Sequence, residues 1–322
     1  MPKQTELSAI VPATDRPATL ERCVDAIRAA TGPPGEVIVV DSPPGSGPAA
    51  ARNAGAAGAS GRLLAFVDSD VVVHADAFER MRAAFAADPE LVAVFGSYDD
   101  APADRGLVSI FRNLLHHWVH QSSAGRATTF WAGLGAVRAD AFRAVGGFDD
   151  RRFGAPSVED IELGLRLART GTLRLDPRIQ GTHLKRWRLR DMVKTDLVYR
   201  GAPWVALMLA RGRSSFRLNV SARHLAGTVT CLAALALAAT GRLVPAAVLL
   251  VAFVAVNARL YRLLLKRGGI PAAVAGFGLH VLHSVIALVA VPAGLVLFAR
   301  HWAPWPGRGA ERAQPERGTG AA

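Results

Sequence analysis

Residues 62–73 read RLLAFVDSDVVV. An apolar run of strand length, Leu63 to Val67, stops at Asp68 and Asp70. A short run this apolar fits a strand buried on both faces, as in a parallel sheet covered by helices. An unpaired carboxylate inside such a strand would carry a large desolvation cost. At the strand's end it sits instead on the rim, where α/β sheets bind their ligands. Two readings of the aspartates follow. A hard divalent ion such as magnesium or manganese takes carboxylate oxygens and bridges to substrate phosphates. Asp and Ser also turn or cap a chain, here ahead of VVVHADAF. The motif alone leaves both open.

Working outward, LSAIVPA is a strand, and PATLERCVDAIRAA has helical spacing with Leu20, Val24 and Ile27 on one face. EVIVVDS is a second strand, PPGSGP a loop, and AAARNAGAAGA a short Ala-rich helix. After the opening stretch, ADAFERMRAAFAAD is a helix with Phe78, Met81, Arg82 and Phe85 at three- and four-residue steps. LVAVFGSY is the next strand. Alternation of this kind predicts a mainly parallel α/β sheet. Asp15, Asp41, Asp68 and Asp70 all fall at or just past strand ends. Farther on, GLVSIFRNLLHHWVHQ reads as an amphipathic helix. His116 and His120 share one of its faces, but no carboxylate accompanies them, so surface or groove histidines are expected rather than metal ligands. SVEDIELGLRLARTG reads as a helix that Ser157 caps, with Asp160 three residues on as an acidic variant of the capping box.

The 322-residue chain carries a net charge of +12 and is 51% apolar, which points to a membrane part. Its apolar segments predict three transmembrane helices, about 222–241, 243–263 and 273–299. The basic excess gathers beside these segments, between Arg186 and Arg223 and again from Arg259 to Arg267, as expected for a membrane surface. No nucleic-acid motif accompanies it. The expected division is a catalytic domain over 1–185, an interfacial helical segment over 186–221, a membrane region over 222–300 and a disordered tail over 301–322. The middle segment reads equally as a helix lying on the membrane or one packed on the catalytic domain. Cys23 and Cys231 suggest neither a disulfide framework nor a zinc site. No signal peptide is expected at the N-terminus.

The order of the motifs is more specific than any one of them. SAIVPATDRPATLERCVDAI, VIVVDS, ARNAGAAGASGRLLAFVDSD, AVGGFDD, VEDIELGLRLARTG and HLKRW follow one another over residues 8 to 187. This series resembles the family-2 inverting glycosyltransferases, whose catalytic domain has the GT-A fold, a Rossmann-like mixed α/β sheet. The resemblance implies that Pro12, Thr14 and Asp15 form a nucleotide-contacting turn, that Asp41 contacts the base, and that Arg52 lies near the nucleotide. Members often have a second acid after the position of Asp41, where this chain has Ser42. Asp68 and Asp70 match the DxD pair that holds a divalent metal against the donor diphosphate. Asp160 matches the catalytic base, with Glu159 beside it. HLKRW stands where processive members have a Gln-x-x-Arg-Trp element, so Arg186 and Trp187 are expected near the acceptor or diphosphate. His183 replaces the glutamine, which argues against processive polymerisation and suggests a metal or diphosphate role. The implied protein is a multi-pass cell-membrane hexosyltransferase with a cytoplasmic catalytic domain. It would use magnesium or manganese and a nucleotide-sugar, UDP-linked by preference and GDP- or TDP-linked otherwise. Its acceptor would be lipid-linked or a cell-envelope glycan; membrane lipids are expected partners and nucleic acid is not. The competing reading is a non-catalytic membrane protein that keeps the fold to bind a nucleotide or partner.

Overall fold

A computed structural model describes residues 6–211 and 222–302. Its centre is one sheet of eight strands in the order β2-β1-β3-β7-β5-β8-β4, with β6 beside β8. The first three are β1 (Leu7–Pro12), β2 (Glu36–Val40) and β3 (Leu63–Val67), and both β2 and β3 pair parallel to β1. Every residue of β1 and β3 is buried, as the unbroken apolar runs require. α1 (Leu20–Ala29), α2 (Gly47–Gly58) and α3 (Ala77–Ala87) are the crossover helices. The spacing read for α1 and α3 holds: Val24 and Ile27 are buried in one, and Phe78, Met81 and Phe85 in the other.

The second half makes the sheet mixed rather than mainly parallel. β5 (Leu91–Tyr98) and β7 (Leu134–Arg138) run antiparallel, and β7 is also antiparallel to β3. β8 (Thr172–His183) is long enough to serve two partners. It runs parallel to β5 and then pairs antiparallel with β4 (Val71–Val73), in a register that sets His183 opposite Val71. The short β6 (Gly125–Ala127) flanks its first half. One edge of the sheet therefore collects the carboxyl ends of β2, β1, β3, β5 and β8 together with the amino end of β7. α6 (Glu159–Leu167) packs behind that edge, so closely that a Cβ on Gly164 would overlap the backbone of Thr129 and Phe130.

The C-terminal region is helical. α4 (Leu107–Ser122) and α5 (Ala139–Ala144) belong to the α/β domain. Then come α7 (Leu189–Lys194), a π-helical turn (Thr195–Gly201), α8 (Ala202–Arg211), α9 (Ala222–Ala239), α10 (Leu243–Val256) and α11 (Ala258–Leu297). α11 is kinked at Gly269, whose φ of 69° lies in the left-handed region that glycine tolerates. The three-span expectation changes here. Among the described residues only the helix Ala258–Arg300 is long and apolar enough to cross a membrane, and α10, with 14 residues, is short for a span. The kink lies inside the expected gap at 264–272, but the chain continues helically on both sides of it instead of looping. α11 also packs on the α/β domain: Ile110, Phe111 and Leu114 of α4 share a buried cluster with Leu260, Leu264 and Ala272. Arg267 binds Asp100 at 2.5 Å. Several other apolar side chains of α11, including Ile270, Val274, Leu288 and Val296, are exposed, while Ile286 and Ala290 are buried. The Arg-rich tail and residues 212–221 lie outside the described residues.

Candidate active site

The residues singled out in the sequence gather on that one edge. Pro12 closes β1, and the amide of the next residue, Ala13, donates to the Val40 carbonyl at 2.8 Å, so the turns after β1 and β2 lie side by side. Gly45 N–H donates to the Thr14 carbonyl at 3.2 Å, joining the two turns again. Asp15 and Asp41 are exposed on them.

Next along the edge is a buried three-member clamp. The Arg52 guanidinium, carried on α2, donates to Asp68 Oδ1 at 2.6 Å and to Glu159 Oε1 at 3.0 Å. Glu159 Oε2 accepts the Ser157 amide at 2.7 Å. Burial opposes the charge on Arg52, but Asp68 and Glu159 outweigh it and raise its pKa above the ordinary value. The clamp takes up both oxygens of Glu159 and one of Asp68. Arg52, expected beside the nucleotide, is thus a buried tie between the end of β3 and the start of α6.

Asp70 is not part of the clamp. The antiparallel pairing of β4 with β8 brings His183 to it, with Nε2 3.4 Å from Asp70 Oδ2. Burial works against the charged carboxyl, but His183 and Lys185 prevail and hold Asp70 below the usual carboxylate range. His183 itself is stacked on Tyr98, rings 4.1 Å apart and 13° from parallel. Among the described residues no three His, Cys, Asp or Glu side chains converge as a complete metal site. Asp70 and the second oxygen of Asp68 still present hard oxygen donors, at side-chain exposures of 26% and 30%. That set fits a magnesium- or manganese-type ion, which commonly takes only one or two carboxylates and completes its shell with water and substrate phosphates.

Asp160 stands on the other side of the clamp. Its Oδ2 accepts the Ala132 amide at 3.3 Å and its Oδ1 accepts the Ile161 amide at 2.8 Å. Burial, then the neighbouring Glu159 charge, push its carboxyl up to about 7, against the pull of Arg52 and Arg200. Ser157 does not cap α6. The residue before the helix is Val158, and Ser157 Oγ donates instead to the Tyr199 carbonyl at 2.7 Å, tying the π-helical turn to this loop.

Two expected residues do not join this group. The Arg186 side chain is 75% exposed and lies 3.8 Å from Asp104. Trp187 is buried in the α4–α11 cluster, with Arg112 and Lys185 over its ring at 5.0 and 4.5 Å. Conversely, His116 and His120 are not surface histidines. His116 packs on Tyr98, His120 and Trp131, and both of its ring nitrogens are buried without a partner. Burial pushes His116 well below its ordinary pKa and leaves it neutral. Tyr98, Trp131, Lys185 and Arg200 were missed in the sequence. Tyr98 had one available signal, since it ends LVAVFGSY as Asp68 ends its own strand.

The model of glycosyl transferase family 2 matches residues 42–145, from the loop after β2 through the DxD pair to the end of α5. That stretch of the chain is similar to glycosyl transferase family 2. The chain is also 31% identical, over 180 residues, to the pre-mycofactocin glycosyltransferases of two Mycobacterium tuberculosis strains, CDC 1551 / Oshkosh and ATCC 25618 / H37Rv. Those matches cover 52% of this chain but only 36% of the relatives' length. Among solved structures, the chain is similar to the mannosyltransferase PcManGT from Pyrobaculum calidifontis in complex with GDP-Man and Mn2+. That likeness has a TM-score of 0.48 and 14% identity, and covers 91% of this chain and 88% of that one. It is also similar to GalNAc-T7 with UDP, GalNAc and Mn2+, with a TM-score of 0.44 and 15% identity, over 57% of this chain and 44% of that one. The fold class read from the sequence, an α/β GT-A domain followed by helices, describes the family 2 domain and its C-terminal region.

Proposed function

We propose that this chain is a membrane-attached glycosyltransferase that moves a hexosyl group from a nucleotide-sugar to a lipid-linked or cell-envelope glycan acceptor, with inversion. Residues 1–185 are its catalytic domain, on the cytoplasmic side. Residues 186–211 lie between this domain and the membrane, and the helices of 222–300 attach it there. The observation that carries the reading is the division of labour across Arg52: an anionic Asp70 on one side and a proton-accepting Asp160 on the other. The family 2 match, over residues 42–145, covers Arg52, Asp68 and Asp70 and supports glycosyl transfer as the chemistry.

The donor's base lies along the turns of β1 and β2, against Thr14, Asp15 and Asp41. Its diphosphate reaches Asp68 and Asp70. Asp68 and Asp70 would hold a divalent cation, which would supply the positive charge that a departing diphosphate needs. Lys185 and His183 stand beside Asp70 and add donors for phosphate oxygens. Asp160 takes the proton from the acceptor hydroxyl as that oxygen attacks the anomeric carbon from the face opposite the leaving group. Its two backbone hydrogen bonds fix the carboxylate plane, and each oxygen keeps a lone pair for the incoming proton. The raised pKa suits the task, since a base works best with a pKa near the working pH. One displacement inverts the centre.

The test is donor turnover and donor binding by the full chain in detergent, across UDP-, GDP- and TDP-sugars with manganese or magnesium. Metal-dependent turnover of one donor is expected, abolished in Asp70→Ala. Binding of a donor without any turnover, unchanged by Asp160→Asn, would turn the reading to a non-catalytic nucleotide-binding protein.

A further inference from the structure

Past its kink α11 has one face buried from end to end. Ala272, Gly276, His280 and Ser284 are buried at four-residue steps, and Ala290 and Gly294 continue the row. Ala272 lies in the cluster shared with α4. The His280 ring is 6.1 Å from that of Phe111 on α4. His283 Nδ1 is 3.0 Å from Asp196 Oδ2, while Arg112 of α4 holds the other oxygen of that carboxylate at 2.9 Å. Ala290 meets Gly201 of the π-helical turn, and Gly294 meets Ala202 and Val205 of α8, so closely that a Cβ on either glycine would overlap its neighbour. Leu297 and Phe298 pack on the core cluster of the α/β domain, to which Ala206 and Leu207 of α8 belong.

These contacts bear on how the helix meets a membrane. The stretch from Ala272 to Phe298 is about 39 Å long at 1.5 Å per residue, against a bilayer core of about 30 Å. Contacts with α4, the turn or α8 recur along all of it. To cross the bilayer, α11 would have to carry the Arg112–Asp196–His283 group, which lies near its midpoint, into hydrocarbon, where ionised groups are costly.

The opposite face is apolar and bare. Ile270 and Val274 are 71% and 67% exposed, and Leu288, Val289, Leu295 and Val296 are exposed as well. No charged residue occurs from Gly268 to Ala299. Before the kink the exposed residues are cationic instead. Arg259, Arg262 and Lys266, at steps of three and four, share a face and have no ion-pair partner among the described residues. No Asp or Glu stands between Leu197 and Ala310 to neutralise them. A cationic stretch followed by an apolar one matches the two layers of an anionic membrane surface, phosphate outside and acyl chain within. α10 is too short to cross, and its Leu243, Val244 and Val248 are exposed too.

We infer that α11 lies along an anionic membrane surface, with its apolar face in one leaflet, and does not cross the bilayer. The inference rests on the membrane attachment in the proposed function and deepens it. Both ends of α11 stay on the side of the catalytic domain. The exposed face is given to lipid rather than to a second copy of the chain.

The experiment reconstitutes the full chain in vesicles of phosphatidylcholine and phosphatidylglycerol. A fluorophore is attached to a single cysteine in Val274→Cys, Leu288→Cys or Val296→Cys; the native Cys23 and Cys231 are buried. Lipids brominated at successive acyl positions then report depth by quenching. The expected result is the same shallow depth at all three positions. A maximum of depth at Leu288→Cys, with the other two shallow, means a spanning helix and overturns the inference, while membrane attachment and the proposed function stand. Absence of quenching at all three gives the face to a second copy or another protein, and removes membrane attachment along with the inference. A second arm measures co-flotation. Replacing Arg259, Arg262 and Lys266 together by Gln is expected to weaken partitioning onto phosphatidylglycerol vesicles at low salt by about fivefold per residue, roughly a hundredfold in all. Partitioning onto pure phosphatidylcholine should not change. Equal partitioning of wild type and the triple variant onto the anionic vesicles overturns the role of the headgroup charge.

Discussion

The acidic pair after β3, Asp68 and Asp70, and the pair opening α6, Glu159 and Asp160, start from similar chemistry and end in opposite states. In each pair one member is bound to Arg52 and the other is left out of the clamp. The two left out then diverge. Asp70 has His183 and Lys185 beside it and is held below the usual carboxylate range, whereas Asp160 has burial and Glu159 against its charge and rises to about 7. One carboxyl is therefore held in its charged form and the other is the easier to protonate. Neighbours make the difference, since burial raises a carboxyl pKa and nearby cations lower it.

The comparison breaks most sharply at the base. Asp160→Asn is expected to lower transfer by about 10²–10⁴-fold, the usual weight of a general base, with donor affinity unchanged. Steady-state kinetics beside donor titration measures both, and near-native turnover would remove Asp160 from that role. The link between the pairs comes next. Arg52→Met leaves two carboxylates facing each other across a buried gap, and a loss of about 3–5 kcal/mol of stability is expected, as for breaking other buried pairs. Denaturant unfolding followed on the α/β domain reports it, and a midpoint within error of wild type would show that the clamp is not structural.

The pH dependence sharpens the same contrast. Below about 7 Asp160 is protonated and cannot accept a proton, so the rate should fall as pH drops through that value. Removing the Glu159 charge lowers the cost of ionising Asp160, so Glu159→Gln should move the ascending limb to lower pH. A limb that does not move, or moves up, would separate the two residues electrostatically. On the other pair, His183→Ala removes the partner that orients Asp70. Metal activation should weaken about tenfold, the scale of losing an outer-shell support, with donor chemistry at saturating metal retained. The smallest effect is expected at the tie to the π-helical turn: Ser157→Ala gives up one hydrogen bond, about 1 kcal/mol. A thermal-shift measurement should show a small decrease, with the acceptor KM rising while donor KM stays constant.

Much of this was legible in the chain. Strands β1, β2, β3 and β5 and helices α1 to α3 followed from apolar runs and helical spacing, because local pattern decides which faces are buried. Asp68, Asp70 and Asp160 stood out as acids at strand and helix ends. The tertiary contacts were hidden. His116 and His120 looked like surface or groove histidines because their partners come from other elements, Tyr98 from the end of β5 and Trp131 from the loop before β7. Ser157 fitted a capping pattern, but its hydroxyl is taken by a carbonyl from the turn 42 residues on. The helical region misled in a different way. Apolar length alone suggested three spans, whereas α11 is two helical stretches joined by a kink at Gly269 and packs partly on α4.

The sequence by itself determined the α/β alternation, the placement of acids at element ends and the apolar character of the C-terminal third. These depend on periodicity and on the cost of burying charge, both of which act locally. Only the tertiary structure decided which carboxyl is held below its usual range and which is raised, and why Arg52 is a tie and not a surface contact. Those properties depend on burial and on charges brought together from more than a hundred residues apart, as in the 107-residue separation of Arg52 and Glu159. A linear pattern does not encode them, because electrostatic environment is set by distance in space.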